Sequence, residues 1–437
     1  MSGGPTGSSA NPGGEPSPLR WWVLGLAALT IFSSYYESDA MGPIADLLGR
    51  QRGFTQSQIG DLTAVISLPN VVLALFNGLM IDKFGPARVT LWAAAIGVVG
   101  AVMTAIGEPY DLMWLGRFVF GISEGAIFIS LIAGLAQWFP RSGIALATAV
   151  FLSLARIGSF SLDTSPTWAR PLYDSGWQAP LWLGAGITGL GLAAALAYRY
   201  LDTRRIALAS TPTAAAERID WSSLFRFDAS YWYILGLHVL YAAVFFPFRQ
   251  TFAIEYLQHA KHLSLQAAGS VNSGVFATAV IATPLFGLLA DRIGHRALLL
   301  IGGTVLLPVT FIVLGTTDLP PWFSTALMGV SFALVPAIIW PSTTLIVDPK
   351  RLGTALGVIT LLQALGLWGS NRLAGRIADA AGASATNPGG YTSMLWYFGL
   401  LSLTALASAL LLWWRERGPR GHGLERARVA GAPVTAH

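Results

Sequence analysis

Apolar residues in this chain come in long unbroken stretches, and polar residues are confined to short gaps between them. A helix needs about 20 residues to cross about 30 Å of hydrocarbon. Twelve stretches reach that length: 21–45, 57–81, 87–107, 111–139, 142–164, 177–201, 230–256, 264–290, 297–316, 321–347, 352–376 and 392–414. The pattern predicts an all-α membrane protein of twelve transmembrane helices. One long polar connection, "DTRRIALASTPTAAAERIDWSSLFRFD", separates the sixth stretch from the seventh. It divides the chain into six-helix halves at 21–201 and 230–414, joined by a linker at 202–229. Residues 1–20 are rich in Gly, Pro and Ser and read as a disordered tail. Residues 415–437 form a second polar tail. The first apolar stretch lacks the short core and cleavage site of a secretory signal.

Composition agrees. Of 437 residues, 54% are hydrophobic and 11% charged, where a soluble domain carries about 25% charge. Cysteine is absent, which excludes disulfides and thiolate metal sites. No His cluster and no phosphate-binding loop appears, so neither a metal, a cofactor, an enzymatic activity nor ATP-driven pumping is expected. The net charge of +5 does not point to nucleic acid, because the basic residues flank the helices. Lys83, Arg88, Arg141, Arg204, Arg205, Arg218, Arg226, Arg292, Arg296, Lys350, Arg351 and Arg415 to Arg428 fall on one side. Arg50, Arg52, Arg170 and Lys261 fall on the other. The positive-inside rule then places both termini and the linker in the cytoplasm. The chain has no N-x-S/T sequon, which favours a bacterial inner membrane over a lysosome. A monomer in the bilayer is expected, with a small-molecule substrate and protons as an open co-substrate.

The halves carry a repeat. "GLMIDKFGPAR" starts at Gly78 and "GLLADRIGHRA" at Gly287, each between the second and third helices of its half. Each has an acid (Asp82, Asp291), a base (Lys83, Arg292), a turn glycine (Gly85, Gly294) and a second base (Arg88, Arg296). The leading glycine of each is expected to allow close helix packing. "RFVFGISEG" follows from Arg117 on the fourth helix. These motifs resemble those of the major facilitator superfamily. "SLPNVVLALFNGLMIDKFG", "SLARIGS", "VFFPF", "QAAGSVNSGVF" and "RLGTALG" narrow the resemblance, over about Tyr35 to Asp379, to its lysosomal dipeptide-transporting branch, which has many bacterial members. The resemblance implies two pseudo-symmetric six-helix halves, alternating access, a central cavity and a conformational latch built from the repeated loops.

Arg156 lies inside an otherwise apolar helix, at a cost of about 2.5–3.5 kcal/mol on insertion scales. Glu124 is sixteen residues before Pro140 and Arg156 sixteen after it, so both sit ~24 Å from that turn. They read either as a structural ion pair or as a site in which Arg156 grips a substrate carboxylate and Glu124 holds an ammonium or a proton. The resemblance assigns Arg156 the carboxylate. The family's acid, in G-x-G-G-E-S, aligns with Gly125, whereas the acid here is one residue earlier, about 100° around the helix. That shift favours a substrate without an ammonium. Tyr35, Tyr241, Asn272, Gln363 and Trp340 are further candidates for lining the cavity.

Glu37 and Asp39 lie ~24–27 Å along the first helix, Arg249 ~27 Å along the seventh and Arg372 ~30 Å along the eleventh. Acids in one half and arginines in the other, at one level, predict an ion-pair gate above the substrate. The function expected is secondary transport of an anionic or zwitterionic organic solute, a carboxylate or short peptide. The alternatives are an anionic metal chelate, such as a siderophore or iron complex, and a transporter-like receptor or assembly subunit.

Overall fold

Proline and glycine decide where the apolar stretches break into helices. The computed structural model describes residues 19–140, 143–206, 227–348 and 351–425. The first crossing is α1 (Leu19–Ser38) and α2 (Met41–Arg52), interrupted at Asp39 and Ala40. Gly53, at φ 67°, ends α2 in the left-handed conformation that glycine adopts without strain. The second crossing is α3 (Gln56–Ala64), a 3-10 turn at Val65–Ser67, and α4 (Leu68–Phe84), bent by 64°. Thr55 and Gln58 start it with a reciprocal capping box. α5 (Pro86–Ile106), α6 (Tyr110–Trp138), α7 (Ile144–Trp168) with the short α8 (Arg170–Ser175), and α9 (Gln178–Ile206) complete the first half.

The second half opens with α10 (Ala229–Pro247), a π-helical turn at Phe248–Phe252 and α11 (Ala253–Ala260), together one crossing. Asp228 caps α10 through the Ser230 N–H. Burial raises the Asp228 carboxyl, but Ser230 and Arg415 outweigh it and hold the group below the usual carboxylate range. α12 (Leu265–Ile293), α13 (Arg296–Thr316), α14 (Pro321–Ile346), α15 (Leu352–Ala380) and α16 (Tyr391–Glu416) follow. Among the described residues ten helices are long and apolar enough to span a membrane singly; the bent second crossing makes an eleventh. The interrupted first helix completes the twelve crossings. Large apolar side chains such as Val72, Ile281 and Trp414 stay exposed, as lipid allows and water does not.

Helix ends depart slightly from expectation. α1 begins two residues into the predicted tail, and α9 runs five residues into the predicted linker. Residues 1–18, 207–226 and 426–437 lie outside the described part, so the disorder expected of the tail is not described. The buried apolar residues form separate clusters, one drawn from residues 231–424 and two from residues 23–198 and 40–181. Each half therefore has its own core. The end bearing both chain termini is called proximal below, and the opposite end distal.

The π-turn has a local cause. Pro247 has no N–H to give the Ala243 carbonyl one turn earlier. Ser370 of α15 donates its hydroxyl to that carbonyl instead, and Tyr397 donates to Ser370 at 3.1 Å. The widened turn brings Arg249 and Gln250 to the face that meets the other half. Ser370→Ala should leave a buried carbonyl without its donor, a loss of about 1–3 kcal/mol. A lowered midpoint of thermal unfolding in detergent checks this; an unchanged midpoint would mean that the Ser370 bond contributes nothing.

Candidate functional site

A charge buried in an apolar bundle has to find a partner or a cavity, and the intramembrane charges of this chain divide on that basis. Arg249, on the π-turn, is fully buried. Its two terminal nitrogens donate to Asp39, after α1, and to Asp163, on α7. Gln250 Nε2 donates to the other oxygen of Asp39 at 2.7 Å, and Asn272 Nδ2 to the Arg249 carbonyl at 3.2 Å. Nearby, Arg372 Nε pairs with Asp61 of α3 at 2.7 Å and lies over Trp368. Asp379, on α15, accepts the Gln56 and Ser57 amides at 2.7 and 2.9 Å, at the N-terminus of α3, where the helix dipole favours an anion. Apart from the Asn272 bond and the Trp368 contact, which lie within the second half, these contacts join the two halves, and all lie at the distal end.

Backbones meet there as well. A Cβ on Gly42 would stand 2.7 Å from the Gln250 carbonyl oxygen, and one on Gly60 2.7 Å from that of Asn371. Gly375 lies equally close to the Gln56 backbone, and Gly269 to the Asp163 backbone. Each half thus supplies glycines against which the other half's main chain packs.

Of the four residues expected to form a gate, three make contacts between the halves. Glu37 does not. It stands two residues from Asp39, on nearly the opposite helix face, and is buried inside the first half 3.7 Å from Arg117. Arg117 is itself a brace: it donates to the carbonyls of Leu62, Glu37 and Ser38 at 3.2, 2.7 and 2.5 Å, where the first helix breaks. Arg372 meets Asp61 rather than Glu37 or Asp39.

Arg156 behaves differently from Arg249. It is half-buried, and its guanidinium makes no ion pair or hydrogen bond among the described residues. It lies instead over three rings: Phe332 at 4.8 Å, Tyr35 at 5.2 Å and Phe276 at 5.4 Å. Arg249 lies 4.1 Å from the same Phe276 ring, so one aromatic side chain meets both arginines. The Glu124–Arg156 ion pair does not form. Equal depth set their level but not their direction: Glu124 turns to Ser38, and Arg156 to the rings. The Asn70 side chain occupies the space that a side chain at Gly125 would need, so an acid at position 125 would have to displace it.

Tyr241 is not a cavity residue: it is buried and its hydroxyl pairs with Ser331 at 3.0 Å. Asn272 is 1% exposed and belongs with Arg249. Gln363 pairs with His238 at 2.9 Å, and the half-exposed Trp340 meets the His238 ring at 5.2 Å. In the proximal loops Asp82, Arg88 and Arg292 are exposed and Lys83 lies over Phe84. Gly85 and Gly294 take positive φ, 82° and 69°, as their turns require. A Cβ at Gly78 would meet nothing within 4 Å, so the close packing expected there is absent. Arg296 is buried at the start of α13; the Gly287 and Asp291 side-chain positions lie outside the description.

Asp163, Asp61 and Asp379 were missed. Asp163 had a signal: it follows Arg156 by seven residues, two turns along the same face. Asp61 and Asp379 had none, because each finds its partner about 300 residues away in sequence.

Closing the distal end therefore needs glycine as well as charge. Gly60→Ala should shift the molecule toward a distally open form by about 1–3 kcal/mol of overpacking. Distal-side labelling of a cysteine placed at Ser38 should rise. Gly186→Ala, where a Cβ meets nothing within 4 Å, should leave labelling unchanged. Equal labelling in both variants would show that the close approach at Gly60 has no part in closure.

The Major Facilitator Superfamily sequence profile matches residues 27–367 and 234–436. The chain is 31% identical over 407 residues to the lysosomal dipeptide transporter MFSD1 of Homo sapiens, covering 87% of each chain. It is 27% identical over 371 residues to the probable sulfoacetate transporter SauU of Cupriavidus necator, covering 78% of this chain and 83% of the relative. Among solved structures, a mutant of the nucleoside transporter NupG aligns with a TM-score of 0.72 at 14% identity, covering 90% of this chain and 99% of the other. A bacterial homolog of the human lysosomal transporter Spinster, inward-facing and unoccupied, aligns with a TM-score of 0.73 at 15% identity, covering 91% and 97%. With the profile spanning nearly the whole bundle, the two-half fold of twelve crossings and relatives that are transporters, this chain belongs to the major facilitator superfamily and is a secondary transporter, not an enzyme.

Proposed function

We propose that the chain moves a small organic anion or zwitterion, held at Arg156, by alternating access. The observation that carries this reading is the Arg156 guanidinium: at mid-depth, half-buried against three rings and, among the described residues, in no ion pair or hydrogen bond. A guanidinium presents a planar fork of donors that fits a carboxylate or a sulfonate. The three rings around it exclude water and strengthen that attraction. The two named relatives support the reading, because a dipeptide ends in a carboxylate and sulfoacetate carries both a carboxylate and a sulfonate. The missing acid at position 125, where Asn70 fills the space, favours small anions over solutes that need an ammonium clamp. Glu124 is left to hold either an ammonium or a proton.

The inter-half bonds at the distal end and the exposed charges in the proximal loops fit a state closed distally and open proximally. The placement of basic residues supports a cytoplasmic proximal side, and the lack of an N-x-S/T sequon favours a bacterial inner membrane. Asp39, Asp163 and Arg249, with Asp61 and Arg372, then form the outer gate. The two repeated loops form the latch that engages when the cytoplasmic end closes.

Purified protein screened by thermal shift against dipeptides, small carboxylates and sulfonates should be stabilised by one class, by ~2.7 kcal/mol at 100 times its dissociation constant. Arg156→Lys keeps the charge but loses the fork, and should lower transport by about tenfold or more, the worth of a charge-assisted hydrogen bond of about 1.5–3 kcal/mol. Its unliganded melting temperature should stay near that of the wild type, since Arg156 makes no ion pair or hydrogen bond among the described residues and lysine keeps a cation against the three rings. Wild-type transport by Arg156→Lys would rule out the clamp. Asp82→Asn should slow transport while leaving equilibrium binding of the same ligand within a few-fold; a large loss of affinity would make Asp82 part of a site instead of a latch.

A further inference from the structure

A second inter-half cluster lies at the distal rim, apart from Arg249. His259 of α11 is 7% exposed. Its Nε2 is 2.8 Å from Asp46 Oδ1, on α2 of the other half, and its Nδ1 is 2.8 Å from the Tyr391 hydroxyl, on α16. Tyr391 donates to Glu255 Oε1 at 3.2 Å, and Gln56 Nε2, on α3, donates to the same oxygen at 2.7 Å. Asp46 Oδ1 also accepts from Arg50 at 2.8 Å. These are the polar and charged groups that face His259: Asp46 and Arg50 from α2, Gln56 from α3, Glu255 from its own helix and Tyr391 from α16.

The hydrogens can be counted. Tyr391 has one, and it points to Glu255, so the tyrosine oxygen offers a lone pair to His259 and Nδ1 must carry a hydrogen. Asp46, a carboxylate that already accepts from Arg50, offers a lone pair to Nε2, which must carry one too. An imidazole with a hydrogen on both nitrogens is the cation. Turning the tyrosine hydrogen toward Nδ1 instead leaves two bare oxygens facing each other unless Glu255 takes a proton, so one proton resides in the cluster either way. Charge agrees: His259 and Arg50 as cations balance Asp46 and Glu255, whereas a neutral imidazole leaves a buried net negative charge.

We propose that this cluster is a proton-binding site, completed only when the distal ends meet, which takes up a proton from the distal compartment as the transporter closes there. Asp46 and Gln56 belong to one half, and His259, Glu255 and Tyr391 to the other. Opening removes Asp46 from the imidazolium, so the closed form holds the proton on His259 more tightly. By linkage, the stabilisation of the closed form is present at low pH and is lost as the pH rises. Acid in the distal compartment thereby drives the carrier toward its proximally open state. The inference rests on the alternating-access reading above, but not on the identity of the substrate.

The chain has no cysteine, so spin labels can be placed at Ser175→Cys and Thr386→Cys, exposed distal positions in opposite halves. Distances between them are measured without substrate from about pH 8 to pH 5, across the imidazole range. The ratio of short to long distances should rise about 5- to 150-fold, the usual span of such coupling. In His259→Gln, which cannot become a cation, the ratio should not respond to pH. Asp46→Asn should show the same flat profile and serves if the first variant folds poorly. A wild type without a pH response, a response of opposite sign, or a response retained in His259→Gln and Asp46→Asn overturns the proton site. Gly60→Ala in the labelled background is the separate control: lengthened distances there show that two states exist whatever the fate of the proton site, whereas a single distance in Gly60→Ala and in the wild type at every pH counts against alternating access itself.

Discussion

A buried charge in a lipid-bound bundle must be neutralised, and Arg249 is neutralised only when the two halves touch. Its carboxylate partners, Asp39 and Asp163, both come from the other half, and none of the three is more than 3% exposed. Separating such groups leaves uncompensated charges behind, at about 3–5 kcal/mol for a buried pair broken in place. Water entering an opening cleft offsets that loss by solvating them. The ion triad therefore distinguishes two conditions, dry and joined or wet and apart, and disfavours anything between. A transporter that must never be open at both ends needs such a discontinuity.

Steric features reinforce the electrostatic ones. The halves approach until main chain meets main chain, which glycine permits at Gly42, Gly60, Gly269 and Gly375. Pro247 unsettles the seventh crossing just before the point of contact, and the π-turn that follows lets consecutive residues, Arg249 and Gln250, reach the two oxygens of one carboxylate. π-turns within helices are frequent at functional sites. Here the turn has a traceable cause, a proline whose missing N–H is replaced by Ser370.

Two arginines of the same chemistry thus serve different ends. Arg249 is saturated by protein acids and is a structural ion of the closed state. Arg156, which meets the same Phe276 ring, lies over aromatic faces and makes no ion pair among the described residues.

The twelve crossings, the division into halves and the paired loop motifs were legible in the sequence, because lipid forces long apolar runs and the fold repeats itself. The depth of each charge was legible too, since a helix rises 1.5 Å per residue. Depth identified Asp39, Arg249 and Arg372 as residues of one level. It did not say which way a side chain turns, so Glu37, two residues from Asp39, was grouped with the gate although it belongs to Arg117, and Glu124 was matched with an Arg156 that faces elsewhere. Partners such as Asp61 for Arg372, or Asp46 for His259, depend on how two separately folded halves meet. That docking is governed by backbone fit at a few glycines and by charges hundreds of residues apart, and no local pattern records it. The sequence by itself determined the helices and the depth of their charges; the tertiary structure alone decided which charges are paired, because pairing depends on how the two halves dock.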